Sequence, residues 1–144
     1  MTRTAPRVTH VLETSLYVTD LERSRAFYQD LFGFAVFLQD ERMCALEVPG
    51  RQVLLLFRRG ASLRPSPTPG GVIPPHDGHG TLHVALAIDA ADLADWRQRL
   101  AERGLAVESQ VGWPAGGTSL YFRDPDNHSI ELATPGLWPN YPRE

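Results

Sequence analysis

The same succession of strand-like and helix-like runs passes through this chain twice, and that recurrence restricts its fold more than any other feature. In Thr81-Leu-His-Val-Ala-Leu-Ala-Ile88, Leu82, Val84, Leu86 and Ile88 alternate with Thr81, His83, Ala85 and Ala87. Side chains alternate across a strand, so one face is greasy and the other is small-sided with a single imidazole. In Val11-Leu-Glu-Thr-Ser-Leu-Tyr-Val18, Leu12, Leu16 and Val18 share one face while Glu13, Ser15 and Tyr17 share the other. Glu13 and His83 occupy equivalent positions 70 residues apart, Val18 and Ile88 keep that offset, and Gly33 and Gly104 lie 71 apart. A period near half of 144 residues points to a duplicated module.

Each copy reads as βαβββ. After the first strand, Thr19-Asp-Leu-Glu22 has the capping-box pattern, with the Thr19 hydroxyl expected on a backbone N–H and Glu22 reaching back. Leu21, Ser24, Phe27, Tyr28 and Leu31 then recur at helical spacing, and Gly33 supplies a left-handed stop. Strands are predicted at Phe34–Leu38, Met43–Val48 and Gln52–Phe57. In the second copy Asp89 is the expected helix cap, Leu93, Trp96 and Leu100 form the buried stripe, and Gly104 closes the helix. Strands are predicted at Ala106–Gln110, Ser119–Arg123 and Ser129–Ala133. Between the copies, Pro65, Pro67, Pro69, Pro74 and Pro75 with interspersed glycines predict a linker or surface loop without a sheet. The expected organisation is one α+β domain over 8–134: module 1 (8–58), linker (59–80) and module 2 (81–134), then a tail (135–144). Two βαβββ modules would form a cup-shaped, mostly antiparallel sheet with the helices on its outer face.

Composition narrows the function classes. A formal net charge of −3 gives no reason to expect nucleic acid or an anionic membrane surface as partner. No apolar run approaches the ~18 residues of a membrane span, and the N-terminal residues lack a signal-peptide core. The single cysteine, Cys44, has no internal partner and lies in an apolar run, where it reads as a small buried hydrophobe. These features favour a soluble, cytoplasmic protein.

The chemistry sits on the faces opposite the greasy ones. If the modules pair with their non-helical faces inward, Glu13 and His83 face the concavity, and Glu131 alternates onto the same side of its strand. An enclosed carboxylate costs several kcal/mol unless paired, neutral or on a metal. Each of these residues alone is an ordinary half-exposed strand position. Together, one imidazole and two carboxylates form a candidate site for Mn, Fe, Co, Ni or Zn, with water in the open positions. Tyr17, Tyr121 and Arg123 alternate toward the same side as candidate substrate contacts. His76, and less so His79, are candidates for a lid or an added ligand from the linker. His10 and His128 read as structural or surface residues. The tail carries Trp138 and Tyr141, which suggest docking on a neighbouring module or subunit, with Trp138 a candidate for a dimer interface.

At these residues the chain resembles the vicinal oxygen chelate superfamily, which includes glyoxalase I, extradiol dioxygenases, fosfomycin-resistance thiol transferases and bleomycin-resistance proteins. The resemblance runs over residues 8 to 134. It rests on Leu16-Tyr-Val-Thr-Asp-Leu-Glu-Arg-Ser-Arg-Ala-Phe-Tyr28 continuing to Leu31-Phe-Gly-Phe34, on His83-Val-Ala-Leu86, and on Tyr121-Phe-Arg-Asp-Pro-Asp-Asn-His-Ser-Ile-Glu-Leu132. It implies that Glu13, His83 and Glu131 are metal ligands and that Glu131 or Glu13 serves as the catalytic base. It further implies a small oxygen-rich or electrophilic substrate, with a thiol cosubstrate as one option, and a homodimer. Two departures stand out. Val53-Leu-Leu-Leu-Phe57 is wholly apolar where glyoxalase I-like members carry a glutamate, and a glutamate replaces one histidine of the dioxygenase pattern. Asn127 stands where the turn often has glycine, a substitution that a left-handed conformation tolerates. The alternatives are a metal-free, bleomycin-resistance-like binding protein and an extradiol-type dioxygenase.

Overall fold

A computed structural model describes residues 3–143. The chain divides into two compact units, residues 1–78 and 79–144.

The first unit runs β1 (Glu13–Val18), α1 (Leu21–Phe32), β2 (Val36–Gln39), β3 (Met43–Val48) and β4 (Gln52–Arg58). Its sheet has the order β1-β4-β3-β2, with β1 parallel to β4 and the other pairs antiparallel. The alternation read from sequence decides the two faces. Leu16, Val18, Cys44, Leu46, Leu54 and Leu56 are buried together with Tyr28 and Leu31 of α1, and each such apolar side chain contributes about 1.5–3 kcal/mol on burial. Burial pushes the Cys44 thiol up from its ordinary value. The opposite face carries Glu13, Ser15 and Tyr17 beside Val53, Leu55 and Phe57.

Helix α1 starts one residue later than the capping-box pattern implies. Asp20, not Thr19, is the N-cap, its carboxylate accepting from the Arg23 N–H at 3.1 Å. Glu22 instead pairs with Arg25 and accepts from Gln39. The ionised Asp20 is the stronger acceptor for that N–H and also complements the helix dipole. Gly33 ends the helix at φ 73°, its N–H bonded to Gln29 O.

The linker departs from expectation. It folds a small hairpin, β5 (Ser66–Thr68) with β6 (Gly71–Ile73), around the Pro69-Gly70 turn. Pro67 is tolerated because a two-stranded ribbon leaves an outward edge on each strand, where a missing N–H costs nothing. Arg42 braces the segment by donating to Ala61 O at 3.2 Å and Ser66 Oγ at 3.0 Å.

The second unit repeats the plan with β7 (His83–Ala87), a short 3₁₀ turn (Ala90–Asp92), α2 (Leu93–Glu102), β8 (Ser109–Gly112), β9 (Thr118–Arg123) and β10 (Ser129–Ala133). Its order is β7-β10-β9-β8, again with first and last strands parallel. Asp89 makes no side-chain cap, because the 3₁₀ turn separates it from α2. Both sheets are thus mixed, since each βαβββ unit returns its last strand alongside its first.

Leu100, Leu120, Phe122, Ile130 and Leu132 fill the core, and Asn127 adopts φ 65° in the turn before β10. His128 is structural: its Nδ1 accepts from the Leu82 N–H at 2.9 Å, and its own N–H donates to Asp124. In the tail, the Tyr141 hydroxyl lies 3.1 Å from both the Ile88 and Ala133 carbonyl oxygens, so this aromatic packs on its own module. Trp138 remains 64% exposed.

Candidate functional site

Strand register brings two of the predicted ligands together. β10 lies parallel to β7 with Ser129 opposite His83 and Glu131 opposite Ala85, so His83 and Glu131 share the non-helical face one pleat apart. His83 Nε2 stands 3.2 Å from Glu131 Oε1. His83 Nδ1 lies 2.9 Å from Ser129 O. A carbonyl oxygen can only accept, so Nδ1 carries a proton and Nε2 is the nitrogen turned toward the carboxylate. Two lone pairs at that separation repel unless a cation, either a proton or a metal ion, stands between them. A backbone carbonyl on the far ring nitrogen is also the support that fixes a metal-binding histidine's tautomer.

Further polar groups flank the pair on this face. Ser119, fully buried, donates from Oγ to Glu131 Oε2 at 2.5 Å and accepts from Trp113 Nε1 at 2.8 Å. Ser119 had a legible signal, since it lies two residues before Tyr121 and therefore on the same face. Trp113 had none, because it reaches the site from the β8–β9 turn. Tyr121 stacks on His83 with ring centroids 6.3 Å apart. Burial first, and the Glu131 charge second, push its phenol upward, so it stays protonated beside that carboxylate. Arg123 pairs with Glu108 at 2.9 Å and donates to Asn127 O at 3.1 Å.

On the first unit, Glu13 is exposed on β1 opposite Val53, and Ser15 lies opposite Leu55. Leu55 therefore stands to Glu13 as Glu131 stands to His83. The register of the fourth ligand that the resemblance implies thus carries an apolar side chain here. Four residues along β1, Tyr17 stacks on Phe57 at 5.9 Å and its hydroxyl meets His76 Nδ1 at 2.6 Å. His76 packs edge-on against Phe57 at 4.5 Å. Ser62 holds the loop by donating to His76 O at 2.7 Å and accepting the His76 N–H at 2.9 Å. His76 thus lies against the non-helical face of the first unit, engaged with Tyr17 and Phe57. His79 is exposed.

Among the described residues no three His, Cys, Asp or Glu side chains converge as a metal-holding group; His83 and Glu131 form a pair. An open groove of about 510 Å³ beside the tail, lined by Ala115, Gly136, Trp138, Pro139, Pro142 and Arg143, contains none of the predicted site residues.

Comparison with known proteins decides the family. The profile of the Glyoxalase/Bleomycin resistance protein/Dioxygenase superfamily matches residues 7–132. The chain belongs to this superfamily. Within it, the crystal structure of a lactoylglutathione lyase from Agrobacterium tumefaciens superposes with a TM-score of 0.84 at 33% identity, covering 93% of this chain and 99% of that one. Catechol-2,3-dioxygenase of Bacillus subtilis is 32% identical over 125 residues, 86% of this chain but 41% of the dioxygenase. The metallothiol transferase FosB of Bacillus licheniformis is 27% identical over 118 residues, 81% of this chain and 70% of the transferase. This chain therefore spans less than half of the dioxygenase.

Proposed function

We propose that this superfamily member is a divalent-metal-dependent enzyme of the lyase, isomerase or thiol-addition type, acting on a small oxygen-rich or electrophilic molecule. Glu13, His83 and Glu131 are the proposed protein ligands. The observation that carries this reading is the His83 Nε2–Glu131 Oε1 contact, 3.2 Å between two atoms placed to share one cation, with their supports already fixed on the other side. The donor set fits Mn, Fe, Co, Ni or Zn. When bound, such an ion supplies Lewis-acid stabilisation of negative charge developing on a substrate oxygen.

The chain's own residues supply the rest. Ser129 O holds the His83 tautomer, and Ser119 holds one oxygen of Glu131. Glu131, or Glu13, accepts a proton from carbon beside the substrate carbonyl. Tyr121, kept protonated, offers a hydroxyl donor on the same face as the His83–Glu131 pair. The Tyr17–His76 pair bounds the unit 1 face at its far end and contacts the substrate body. Likeness to a lactoylglutathione lyase and to metallothiol transferases supports a thiol conjugate or a thiol cosubstrate. Likeness to a catechol dioxygenase supports ring cleavage as the second reading, tested by oxygen uptake with catechols. No helix among the described residues is long and apolar enough to cross a membrane. The reading is completed by a cytoplasmic homodimer, checked by sedimentation.

Elemental analysis of untagged protein tests the proposal, with His83→Ala alongside. The expected result is about one divalent ion per chain, lost in the variant. Absence of metal after reconstitution with Ni, Mn, Fe, Co and Zn would replace the enzyme with a metal-free ligand-binding protein.

A further inference from the structure

Building on that metal-site reading, we propose that Ser119 and Trp113 are positioning residues that give the two oxygens of Glu131 different tasks. Oε2 is held by the Ser119 hydroxyl, and Oε1 alone is presented beside His83 Nε2 as a one-oxygen ligand.

The direction of the hydrogen-bond chain follows from what each group can do. The indole N–H of Trp113 only donates, so at 2.8 Å it takes a lone pair of Ser119 Oγ. An ionised carboxylate only accepts, so the Ser119 proton points to Glu131 Oε2 at 2.5 Å. Ser119 is fully buried and has no solvent to turn toward. Oε2 is therefore occupied by the Ser119 donor, and the Tyr121 hydroxyl also interacts with Ser119 and Glu131. Access is uneven as well: the His83 side chain is 51% exposed and that of Glu131 only 7%. An arriving ion meets Nε2 and Oε1 together.

The duplicated module supplies an independent comparison. Ser119 lies opposite Ala133, two residues past Glu131; in the first unit Met43 lies opposite Phe57, two residues past Leu55. A hydroxyl accompanies the carboxylate, and a thioether stands where the counterpart is leucine.

Without the Ser119 hydroxyl, Oε2 loses the donor that holds it off the ion, and a one-oxygen ligand is expected to become a two-oxygen ligand. The test is titration of the full chain with Co(II) alone, read by its visible absorption bands and by competition for affinity. Ser119→Ala, Ser119→Thr, Trp113→Phe and His83→Ala are compared with the parent protein. The expected loss for Ser119→Ala is about 10–100-fold in Co(II) affinity, the usual size for an outer partner of a ligand, with a changed band pattern. Ser119→Thr, which keeps the hydroxyl, should restore the parent bands. Trp113→Phe should shift bands and affinity in the same direction by less; being half-buried in a turn, it serves even if the Ser119 variants fold poorly. Parent bands and affinity in both Ser119→Ala and Trp113→Phe, with Co(II) still lost in His83→Ala, would overturn the positioning role alone. A parent protein that takes no Co(II) would overturn the metal-site reading and this proposal with it.

Discussion

Replacing Gly78 by alanine drives a methyl group into the Tyr17 ring. A Cβ built there lies 2.3 Å from Tyr17 Cδ2 and 2.4 Å from Cε2, whereas carbon atoms pack at about 3.5–4.0 Å. Something must move by more than an ångström, and neither side is free to do so cheaply. Tyr17 is stacked on Phe57 and bonded to His76, and the His76 backbone is fixed on both sides by Ser62. Overpacking of this kind costs about 1–3 kcal/mol, and losing the Tyr17–His76 bond adds about 0.5–1.5 kcal/mol. Against these stands a gain of about 0.4–1 kcal/mol from restricting the unfolded chain. The net expectation is destabilisation by about 1–3 kcal/mol. Urea unfolding followed by circular dichroism measures it, and tryptophan emission localises it, because Trp96, Trp113 and Trp138 all lie in the second unit. Pairing the change with Tyr17→Leu should recover much of the loss, as the clash is with the ring. A Gly78→Ala variant equal to or more stable than the parent would refute the docked linker, since only the entropic gain would remain.

Three further outcomes follow from the same geometry. Asp20→Ala should destabilise by about 0.5–2 kcal/mol, the usual value of an N-cap, while Thr19→Ala should cost less; denaturant midpoints with unchanged slope would check both. Burial first, and Asp77 second, hold the Tyr17 phenol above its ordinary value near 10. Its folded value exceeds its unfolded one, so its contribution is complete below pH 10 and lost as pH rises through the folded value; stability of Tyr17→Phe should therefore decline less steeply above pH 10. Leu55→Glu should install a carboxylate in the vacant ligand register, lowering stability of metal-free protein by about 1–3 kcal/mol and tightening Zn(II) binding; unchanged Zn(II) affinity would argue against the correspondence of Leu55 with Glu131.

Much of this was legible in the sequence wherever one physical rule acts alone. Alternation assigned Glu13, Ser15 and Tyr17 to one face of β1, and His83, Glu131 and Tyr121 to the matching face of the second sheet, as the register shows. Gly33 and Asn127 were readable because few residues occupy a positive φ. Legibility failed where two rules compete or where distant segments meet. Thr19 and Asp20 are both good caps, and the helix start chose between them. Five prolines in the linker argued against sheet, yet a two-stranded ribbon has enough outward edges to accommodate Pro67. Arg123 lies on the face that alternation gives it, and its pairing with Glu108, on the segment leading into β8, joins segments that no local pattern links. The Trp113–Ser119 support of Glu131 needed the pairing of β9 with β10, which no local pattern encodes.

The closure of each sheet has a kinetic consequence. β1 finds β4, and β7 finds β10, only as parallel partners, and parallel pairs cannot zip up from a tight turn. His83 must wait for a segment 46 residues downstream before its Nδ1 reaches Ser129 O. Local hairpins such as β8–β9 can form early, while the first-to-last pair bears the loop-closure cost and completes the module. His83 and Glu131 lie on that late-forming pair. Their contact therefore marks a finished module, and an ion that requires both side chains would leave half-folded chains unloaded.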